Sequence, residues 1–366
     1  MPSGCAQALL ALVLAAAAAS GPRYAAAQGI ARLDVKCEWT AATAGGSFPN
    51  HRNVLAAPAV ADTPYQSNGS AVEVIVMSYS YTDGGAAACW GSSSAYYGIV
   101  RIVDGATCAL HESFGGSSVR TDQLIASSTP AIADVDGDGI VEIFTLRAVT
   151  GLIAWKYNAG SRRYEKWWAS TSGSSWSSTC RWDSLAIHDL DDDGIPEIIN
   201  AGEVHNALTG ARLNPGQRVL NSVKFSTIAN VDADPAIELV HSTVYEWDTA
   251  TNRWVAEYTP LPRSAGWSGY AVADFGTPGA GGAFNATALD GVAEIVATSS
   301  GRIGVYTLGG QAVFDVSAGT GGGPPIVGDF DLDGFPEGEA EGGEGGWGGR
   351  VSSCFTDAPR VAFARC

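Results

Sequence analysis

The stretch Asp134-Val-Asp136-Gly-Asp138-Gly-Ile-Val-Glu142 indicates the architecture, because its pattern returns along the chain with the same neighbours. It recurs in full at 189–197 and 329–337 and in a weaker form at 230–238. Each full copy carries acidic residues at positions 1, 3, 5 and 9 and glycine at position 6. A hard cation such as Ca²⁺ takes about six to eight oxygen ligands, which alternate side chains of a tight loop can supply. Glycine at position 6 provides the positive φ that folds the loop back.

Each loop lies between two short apolar runs, for example 130–133 before the Asp134 loop and 143–146 after it. Runs of this length bounded by turn residues are typical of buried strands, so the loop is predicted to join two strands. An EF-hand loop would carry its final glutamate about three positions later and would lie between helices. The spacing and the neighbours therefore exclude an EF-hand.

The loops mark a repeat of about four strands. Its units are 41 to 55 residues apart and begin at Asp134, Asp189, Asn230, Asp274 and Asp329, with a degenerate first unit near Pro58. A repeat of about 40–50 residues with four strands is typical of a propeller blade. The sequence thus predicts an all-β protein, a β-propeller of about six to seven four-stranded blades with calcium loops between strands.

These units resemble the FG-GAP/VCBS repeats of integrin-α-like β-propellers over 58–337. The resemblance implies Ca²⁺ in the blade loops at one face and a ligand at the other. It implies side-chain ligands at positions 1, 3, 5 and 9 and a backbone carbonyl at position 7. The implied ligands are Asp134, Asp136, Asp138, Ile140 and Glu142; Asp189, Asp191, Asp193, Ile195 and Glu197; and Asp329, Asp331, Asp333, Phe335 and Glu337.

Two further loops leave the choice between an ion site and an ordinary acidic turn open. The weaker copy offers Asn230, Asp232, Asp234 and Glu238, but a proline stands at its position 6 and cannot take positive φ. The fifth unit has Gly276 at position 3 and a Gly-rich insertion, so binding there requires Asp274 and Asp290 to meet across the insertion.

The two ends of the repeat region depart from the family pattern, since six units are found where integrin-like propellers have seven. The segment 338–366 is Gly-rich and is predicted to be an irregular tail that leaves the last blade incomplete. The segment 28–57 is a candidate to complete that blade. Residues 1–27, with an apolar stretch at 8–19 and alanines at 25–27, are predicted to be a secretory signal peptide.

The composition points to a protein outside the cytosol. The net charge of −17 argues against nucleic acid and anionic membranes as partners, and no segment is predicted to be transmembrane. Six cysteines follow the signal segment, an even number that predicts disulfide bonds in an exported protein. Fifteen pairings are open, and Cys89–Cys108 is the most local of them.

No catalytic motif stands out, because the five histidines are scattered and no nucleophile or phosphate loop is present in the sequence. We therefore predict no enzyme activity. The favoured function is a secreted calcium-binding propeller that serves as a binding or adhesion module for an extracellular protein or glycan. The alternative is a calcium-dependent polysaccharide-active, lyase-like enzyme. The Trp167-Trp168 pair fits either packing between blades or a sugar-stacking platform.

Overall fold

A computed structural model gives the architecture of much of the chain. It describes residues 35–39, 47–54, 56–65, 72–80, 97–116, 119, 122–147, 151–170, 184–220, 225–258, 261, 269–279, 284–286, 288–299, 302–317, 324–329, 334–343 and 350–355. The proposed signal segment lies outside these ranges. The chain divides into two compact units, Met1–Glu38 and Trp39–Cys366, and the second contains every strand described below.

The first sheet has six strands: β1 (His51–Val54), β2 (Ala59–Ala61), β3 (Glu73–Ser80), β4 (Tyr97–Asp104), β5 (Leu110–Phe114) and β6 (Leu124–Ile125). The order is β1-β3-β4-β5, while β2 also pairs with β3 and β6 with β4. Strand β3 alternates buried with half-buried residues at its start, and β4 is buried over most of its length. These are the patterns of strands covered on one or both faces.

The next three sheets repeat a simpler plan, in which successive strands of the chain are neighbours. The second contains β7 (Ala131–Ala133), β8 (Glu142–Leu146), β9 (Leu152–Asn158) and β10 (Arg163–Ala169). The third contains β11 (Ala186–His188), β12 (Glu197–Asn200) and β13 (Glu203–Asn206). The fourth contains β14 (Thr227–Ala229), β15 (Glu238–Val240), β16 (Val244–Asp248) and β17 (Arg253–Tyr258).

The remaining sheets follow the same plan with one addition. The fifth contains β18 (Gly269–Ala273), β21 (Glu294–Ser299), β22 (Arg302–Tyr306) and β23 (Ala312–Ser317), and a small hairpin of β19 (Thr277–Pro278) and β20 (Phe284–Asn285) is inserted into it. The sixth contains β24 (Ile326–Gly328), β25 (Glu337–Gly343) and β26 (Arg350–Phe355). Every pairing between these strands is antiparallel, and the predicted all-β class is confirmed.

Consecutive sheets stand side by side. The strand that precedes each loop lies next to its counterpart in the following sheet, so that β2, β7, β11, β14, β18 and β24 are neighbours in chain order. Buried apolar clusters fill each space between sheets; one joins Ile75 and Phe114 of the first sheet to Ile153 of the second. Similar clusters lie between each later pair. Trp167 and Trp168 pack in the second of these clusters, which favours packing between sheets over a sugar platform.

The structure corrects two predictions about the ends of the repeat region. Within the segment predicted as an irregular tail at 338–366, residues 338–343 belong to β25, which pairs with β24, and residues 350–355 form β26, which pairs with β25. Glycine lowers strand propensity, but its backbone N–H and C=O groups still pair, so this ladder needs no apolar sequence. Within 28–57, residues 51–54 join the first sheet rather than the last, since β1 pairs with β3.

Arg101 explains why the segment before β1 belongs to the first sheet. Its side chain is fully buried in β4, and its Nη2 donates to the carbonyl oxygens of Phe48 (2.8 Å) and His51 (3.0 Å). Its Nε and Nη1 donate to the hydroxyls of Ser78 (2.9 Å) and Ser113 (2.7 Å). A buried guanidinium satisfied in this way fixes the incoming chain against β3 and β4.

Two cysteines of the described residues, Cys37 and Cys108, are each disulfide-bonded. This agrees with the prediction of disulfide bonds. Cys89, the most local candidate partner of Cys108, lies outside the described residues.

Candidate metal loops and their buried glutamates

All six sheets share one construction at the loop that joins the loop-preceding strand to its antiparallel neighbour, in the pairs β2–β3, β7–β8, β11–β12, β14–β15, β18–β21 and β24–β25. The residue that ends the first strand pairs directly with a glutamate that begins the second: Ala61 with Glu73, Ala133 with Glu142, His188 with Glu197, Ala229 with Glu238, Ala273 with Glu294, and Gly328 with Glu337. Each of these glutamates is at most 7% exposed. Glu73 lies outside the recurring acidic motif, and the register it shares with the other five glutamates is the signal that identifies it.

The buried glutamates hold their loops through one carboxylate oxygen. Oε2 of Glu142 accepts the backbone N–H of Val135 at 3.0 Å, and Oε2 of Glu197 accepts that of Leu190 at 2.9 Å. The same bond to the second loop residue is formed by Glu73 (2.8 Å), Glu238 (2.7 Å) and Glu294 (2.9 Å). The other carboxylate oxygen, Oε1, does not take part in this bond to the loop backbone. Oε1 of Glu73 and of Glu238 is buried without a hydrogen-bond partner, an arrangement that is costly unless a cation is bound there.

The aspartate at position 1 gives the three full loops their common shape. Its Oδ2 accepts the N–H of the position-6 glycine: Asp134 from Gly139 at 2.8 Å, Asp189 from Gly194 at 2.8 Å, and Asp329 from Gly334 at 2.9 Å. The three glycines have φ between 85° and 95°, as the sequence predicts. In the last loop Asp331 and Asp333 lie outside the described residues, and Glu337 is buried at the start of β25.

In the Asp134 loop, a lysine ammonium lies among the predicted ligands. Nζ of Lys156 in β9 is 2.5 Å from Asp136, 2.7 Å from Asp138 and 3.0 Å from Glu142. Although burial lowers the pKa of Lys156, hydrogen bonds to these carboxylates outweigh it and raise that pKa. The predicted ligands are thus brought together around a tethered cation, which Ca²⁺ would have to displace. The backbone carbonyl of Ile140 stays a predicted ligand.

The Asp189 loop also brings predicted side-chain ligands together. Among the described residues, no lysine lies between them as Lys156 does in the Asp134 loop. One oxygen each of Asp189, Asp191 and Glu197 lie within 4.8 Å of one another. Asn206 stands opposite Glu197 on the next strand, at the position that Lys156 occupies relative to Glu142. Burial, and after it the loop aspartates, raise the pKa of Glu197 to about 7. This clustering of uncompensated carboxylates favours a hard cation.

The Asn230 loop, the weaker copy in sequence, gathers more carboxylates than expected. Asp232, Asp234 and Glu238 form one cluster, and Asp234 forms a second with Glu246 and Glu257. Glu246 pairs directly with Glu238 across β15 and β16. Sequence reasoning missed Glu246 and Glu257 because they lie on the third and fourth strands, outside the loop motif.

The electrostatics of the Asn230 loop match this crowding. Burial and the neighbouring carboxylates raise the pKa of Glu238 and of Glu257 to about 7. The amide Nδ2 of Asn230 donates to the carbonyl oxygen of Asp234 at 2.6 Å. Asn230 therefore stabilises the turn of this loop, in which a proline stands at position 6 in place of glycine. Tyr258 donates its hydroxyl to Asp232 at 2.8 Å.

The Asp274 unit, left open by the sequence, has the same loop ends as the full copies. Gly291 N donates to Oδ2 of Asp274 at 2.6 Å, and Val292 N donates to Oδ1 of Asp290 at 3.0 Å. The second contact matches the bond from Ile195 N to Asp193 at 2.7 Å. Glu294 takes the buried position, with its pKa raised to about 7 by burial and then by the nearby aspartates. Asp274 and the Asp290 turn therefore meet across the insertion.

Comparisons with known proteins support the fold. No protein-family model matches the chain, and no curated protein matches it, so the FG-GAP/VCBS resemblance stays a prediction. The structure of the V. cholerae biofilm matrix protein Bap1 is similar over 80% of this chain and 44% of that protein, with 20% identity and a TM-score of 0.57. At this identity the likeness concerns the fold alone.

Two rhamnogalacturonan lyases also align, at lower similarity. The exotype lyase YesX covers 80% of this chain and 53% of its own, with 15% identity and a TM-score of 0.43. A Bacillus licheniformis lyase covers 73% and 47%, with 18% identity and a TM-score of 0.41. The chain thus spans about half the length of each of these three proteins. No helix in the described residues is long and apolar enough to cross a membrane.

Proposed function

We propose that this chain is a secreted, calcium-binding β-propeller module that binds an extracellular glycan or protein, with calcium in a structural role. The observation that carries the proposal is the buried glutamate at the last position of each loop. Glu197, Glu238 and Glu294, each at most 3% exposed, lie beside loop aspartates, and these carboxylates would repel one another without cations. Calcium bound to the loops would relieve that repulsion and stabilise the turn between the two strands.

The side-by-side succession of sheets around their loop-preceding strands supports a propeller over 58–337. A rigid array of this kind can present its connecting loops to a large partner while the ions stiffen the turns. Bap1, whose fold is similar, is a biofilm matrix protein, and we extend an extracellular location and a matrix partner to this chain by analogy of fold. The signal segment at 1–27 is part of the same proposal.

The loops would differ in how readily they bind calcium. The Asp189, Asn230, Asp274 and Asp329 loops would bind Ca²⁺ directly, whereas the Asp134 loop already holds the ammonium of Lys156. Extracellular calcium modules bind with Kd of about 10⁻⁴–10⁻³ M. Such sites would fill only after export, which couples the folded state to the extracellular medium.

We propose a binding role rather than catalysis. The clustered carboxylates of the loops are accounted for by cation binding, and a carboxylate that holds Ca²⁺ is a poor general acid. The net charge of −17 also disfavours polyanionic polymers at low salt, so a neutral glycan or a basic protein surface fits the chain better.

The test is a binding screen of the mature chain against immobilised neutral polysaccharides, uronic-acid polysaccharides and matrix proteins. Each would be assayed in millimolar Ca²⁺ and in EDTA, with Asp191→Asn as a variant that weakens one loop. We expect calcium-dependent retention without shortening of the polymer. Chain cleavage with release of unsaturated sugar ends would instead support the lyase-like alternative, and calcium-independent behaviour of every probe would contradict the proposal.

A further inference from the structure

A histidine and two carboxylates meet in the first sheet, outside every loop that the repeat motif predicts. Glu73 of β3 pairs directly with Asp104 of β4, so two carboxylates stand opposite each other on neighbouring strands. Like charges in this position are destabilising, and Glu73 is fully buried. The pair therefore calls for a positive partner.

His111 approaches this pair from β5. Leu110 pairs with Val103 and Glu112 with Ile102, so His111 is the extra residue of a β-bulge. Bulges of this kind redirect a side chain, and here Nε2 of His111 lies 3.5 Å from Oδ2 of Asp104 and 4.0 Å from Oε1 of Glu73. Nε2 is buried and has no hydrogen-bond partner. Tyr65 stacks on the ring, with centroids 5.5 Å apart and planes 11° apart, which fixes its orientation.

Each carboxylate uses one oxygen to hold the protein and leaves the other facing the histidine. Oε2 of Glu73 accepts the N–H (2.8 Å) and the hydroxyl (2.9 Å) of Thr63. Oδ1 of Asp104 accepts the N–H of Ala106 (2.9 Å) and both the N–H (2.7 Å) and the hydroxyl (2.8 Å) of Thr107. Oε1 of Glu73 has no hydrogen-bond partner. Such outer contacts orient ligands towards a metal in built sites.

We propose that Glu73, Asp104 and His111 bind a divalent transition metal of the Zn²⁺ class. The three free ligand atoms lie within 4.8 Å of one another, as one ligand atom from each residue. Tetrahedral Zn²⁺ with nitrogen and oxygen ligands places neighbouring ligand atoms about 3.4 Å apart, close to the two distances from His111. An imidazole nitrogen beside two carboxylate oxygens suits Zn²⁺ better than Ca²⁺, which prefers oxygen ligands alone. Three protein ligands leave a fourth position for water or a partner group.

The experiment separates this site from the calcium loops by keeping them filled. The full mature chain, stripped with chelator and without thiol reductant because Cys108 is disulfide-bonded, is titrated with ZnCl₂ in saturating Ca²⁺. We expect one Zn²⁺ per chain that excess Ca²⁺ does not displace. His111→Ala should weaken this binding by about 10-fold or more, whereas His241→Ala, which removes an imidazole that packs against Tyr270 outside the metal loops, should leave it unchanged. Equal Zn²⁺ binding by His111→Ala and the unsubstituted chain would overturn the proposal.

A second measurement covers the case in which His111→Ala does not fold. X-ray absorption of the unsubstituted chain loaded with one equivalent of Zn²⁺ should show one imidazole among nitrogen and oxygen ligands. Asp104→Asn, which keeps an acceptor oxygen for Thr107, should change that spectrum. A spectrum without imidazole, or displacement of Zn²⁺ by Ca²⁺, would contradict the site while leaving the calcium proposal standing.

Discussion

Gly291 donates its backbone N–H to Oδ2 of Asp274 at 2.6 Å across a separation of 17 residues. In the Asp134 loop the same bond, from Gly139, spans 5 residues. The β19–β20 hairpin is therefore inserted within a loop whose two ends keep the standard geometry. In the four loops that have glycine at position 6, the contact between positions 1 and 6 is kept whatever the length of the loop.

The Asp189 loop gives the clearest stoichiometric prediction. Asp191→Asn should lower the number of bound Ca²⁺ ions by about one, because it removes a charged oxygen from the cluster with Asp189 and Glu197. Asp192→Asn is the matched control, since Asp192 is exposed, lies outside that cluster and has positive φ that asparagine tolerates. Calorimetric titration measures both. Equal calcium binding by Asp191→Asn and Asp192→Asn would contradict the ligand assignment.

Lys156→Met should convert the Asp134 loop into a stronger calcium site. The variant removes the ammonium that lies within 3.0 Å of Asp136, Asp138 and Glu142 and leaves these carboxylates uncompensated. We expect tighter or additional Ca²⁺ binding, and a loss of about 1–3 kcal/mol in unfolding free energy without calcium.

Lys166→Met is the control for the lysine variant. Nζ of Lys166 contacts Asp122 at 2.7 Å, the lysine side chain is exposed, and the pair lies outside the metal loops. Calcium titration and denaturant unfolding of both variants make the comparison. A Lys156→Met protein that binds calcium as the unsubstituted chain does would show that the ammonium does not compete for the loop.

The buried glutamates predict a pH dependence of stability that calcium offsets. Burial, and then nearby carboxylates, raise the pKa of Glu197 and Glu294 from the ordinary 4.5 to about 7. Between these two values the folded state holds more protons than the unfolded state, so the free energy of unfolding in EDTA should fall as pH rises through this window. Because Ca²⁺ needs ionised carboxylates, its affinity should rise over the same window and offset the loss.

Denaturant unfolding at about pH 5 and about pH 7.5, in EDTA and in calcium, measures this dependence. Glu197→Gln should reduce the slope in EDTA, since it removes one of the titrating groups. A stability in EDTA that is independent of pH between these values, with the same slope in the variant, would be inconsistent with buried, metal-free carboxylates.

The contact between the second and third sheets supplies a packing prediction. A Cβ at Gly210 would lie 2.5 Å from Cε3 of Trp168, whose Nε1 donates to the carbonyl of Ala207 at 2.9 Å. Gly210→Ala should therefore cost about 1–3 kcal/mol from overpacking in addition to about 1–2 kcal/mol for its positive φ. Gly216→Ala has a similar φ but open space around Cβ, so it should show the backbone cost alone. Equal losses in urea unfolding would contradict the close contact.

The parts of the candidate sites that the sequence predicts are those contiguous in the chain. The aspartates and glycine of the Asp189 loop are found together because a nine-residue turn brings its own side chains to one point. Lys156, which contacts Glu142 14 residues away, is placed by the register of β8 and β9. Glu246 and His111 also reach their carboxylate partners across strands, one of them through a bulge. No local motif encodes such contacts.

The fold shows the same division. The all-β class follows from apolar runs and turns, and the structure confirms it. The strands at 337–343 and 350–355 were not predicted, because their pairing depends on backbone groups rather than on an apolar pattern. The number of blades and the closure of the ring stay predictions.

Thermal unfolding of the mature chain in EDTA, in millimolar Ca²⁺ and in millimolar Mg²⁺ measures whether calcium stabilises the loops. Calcium bound to several buried carboxylate loops should raise the melting temperature by roughly 5–10 °C or more, and Mg²⁺ should give a much smaller rise because its octahedral geometry suits these loops poorly. The same melting temperature in EDTA and in Ca²⁺ would show that the loops are acidic turns and would contradict the calcium-stabilised module.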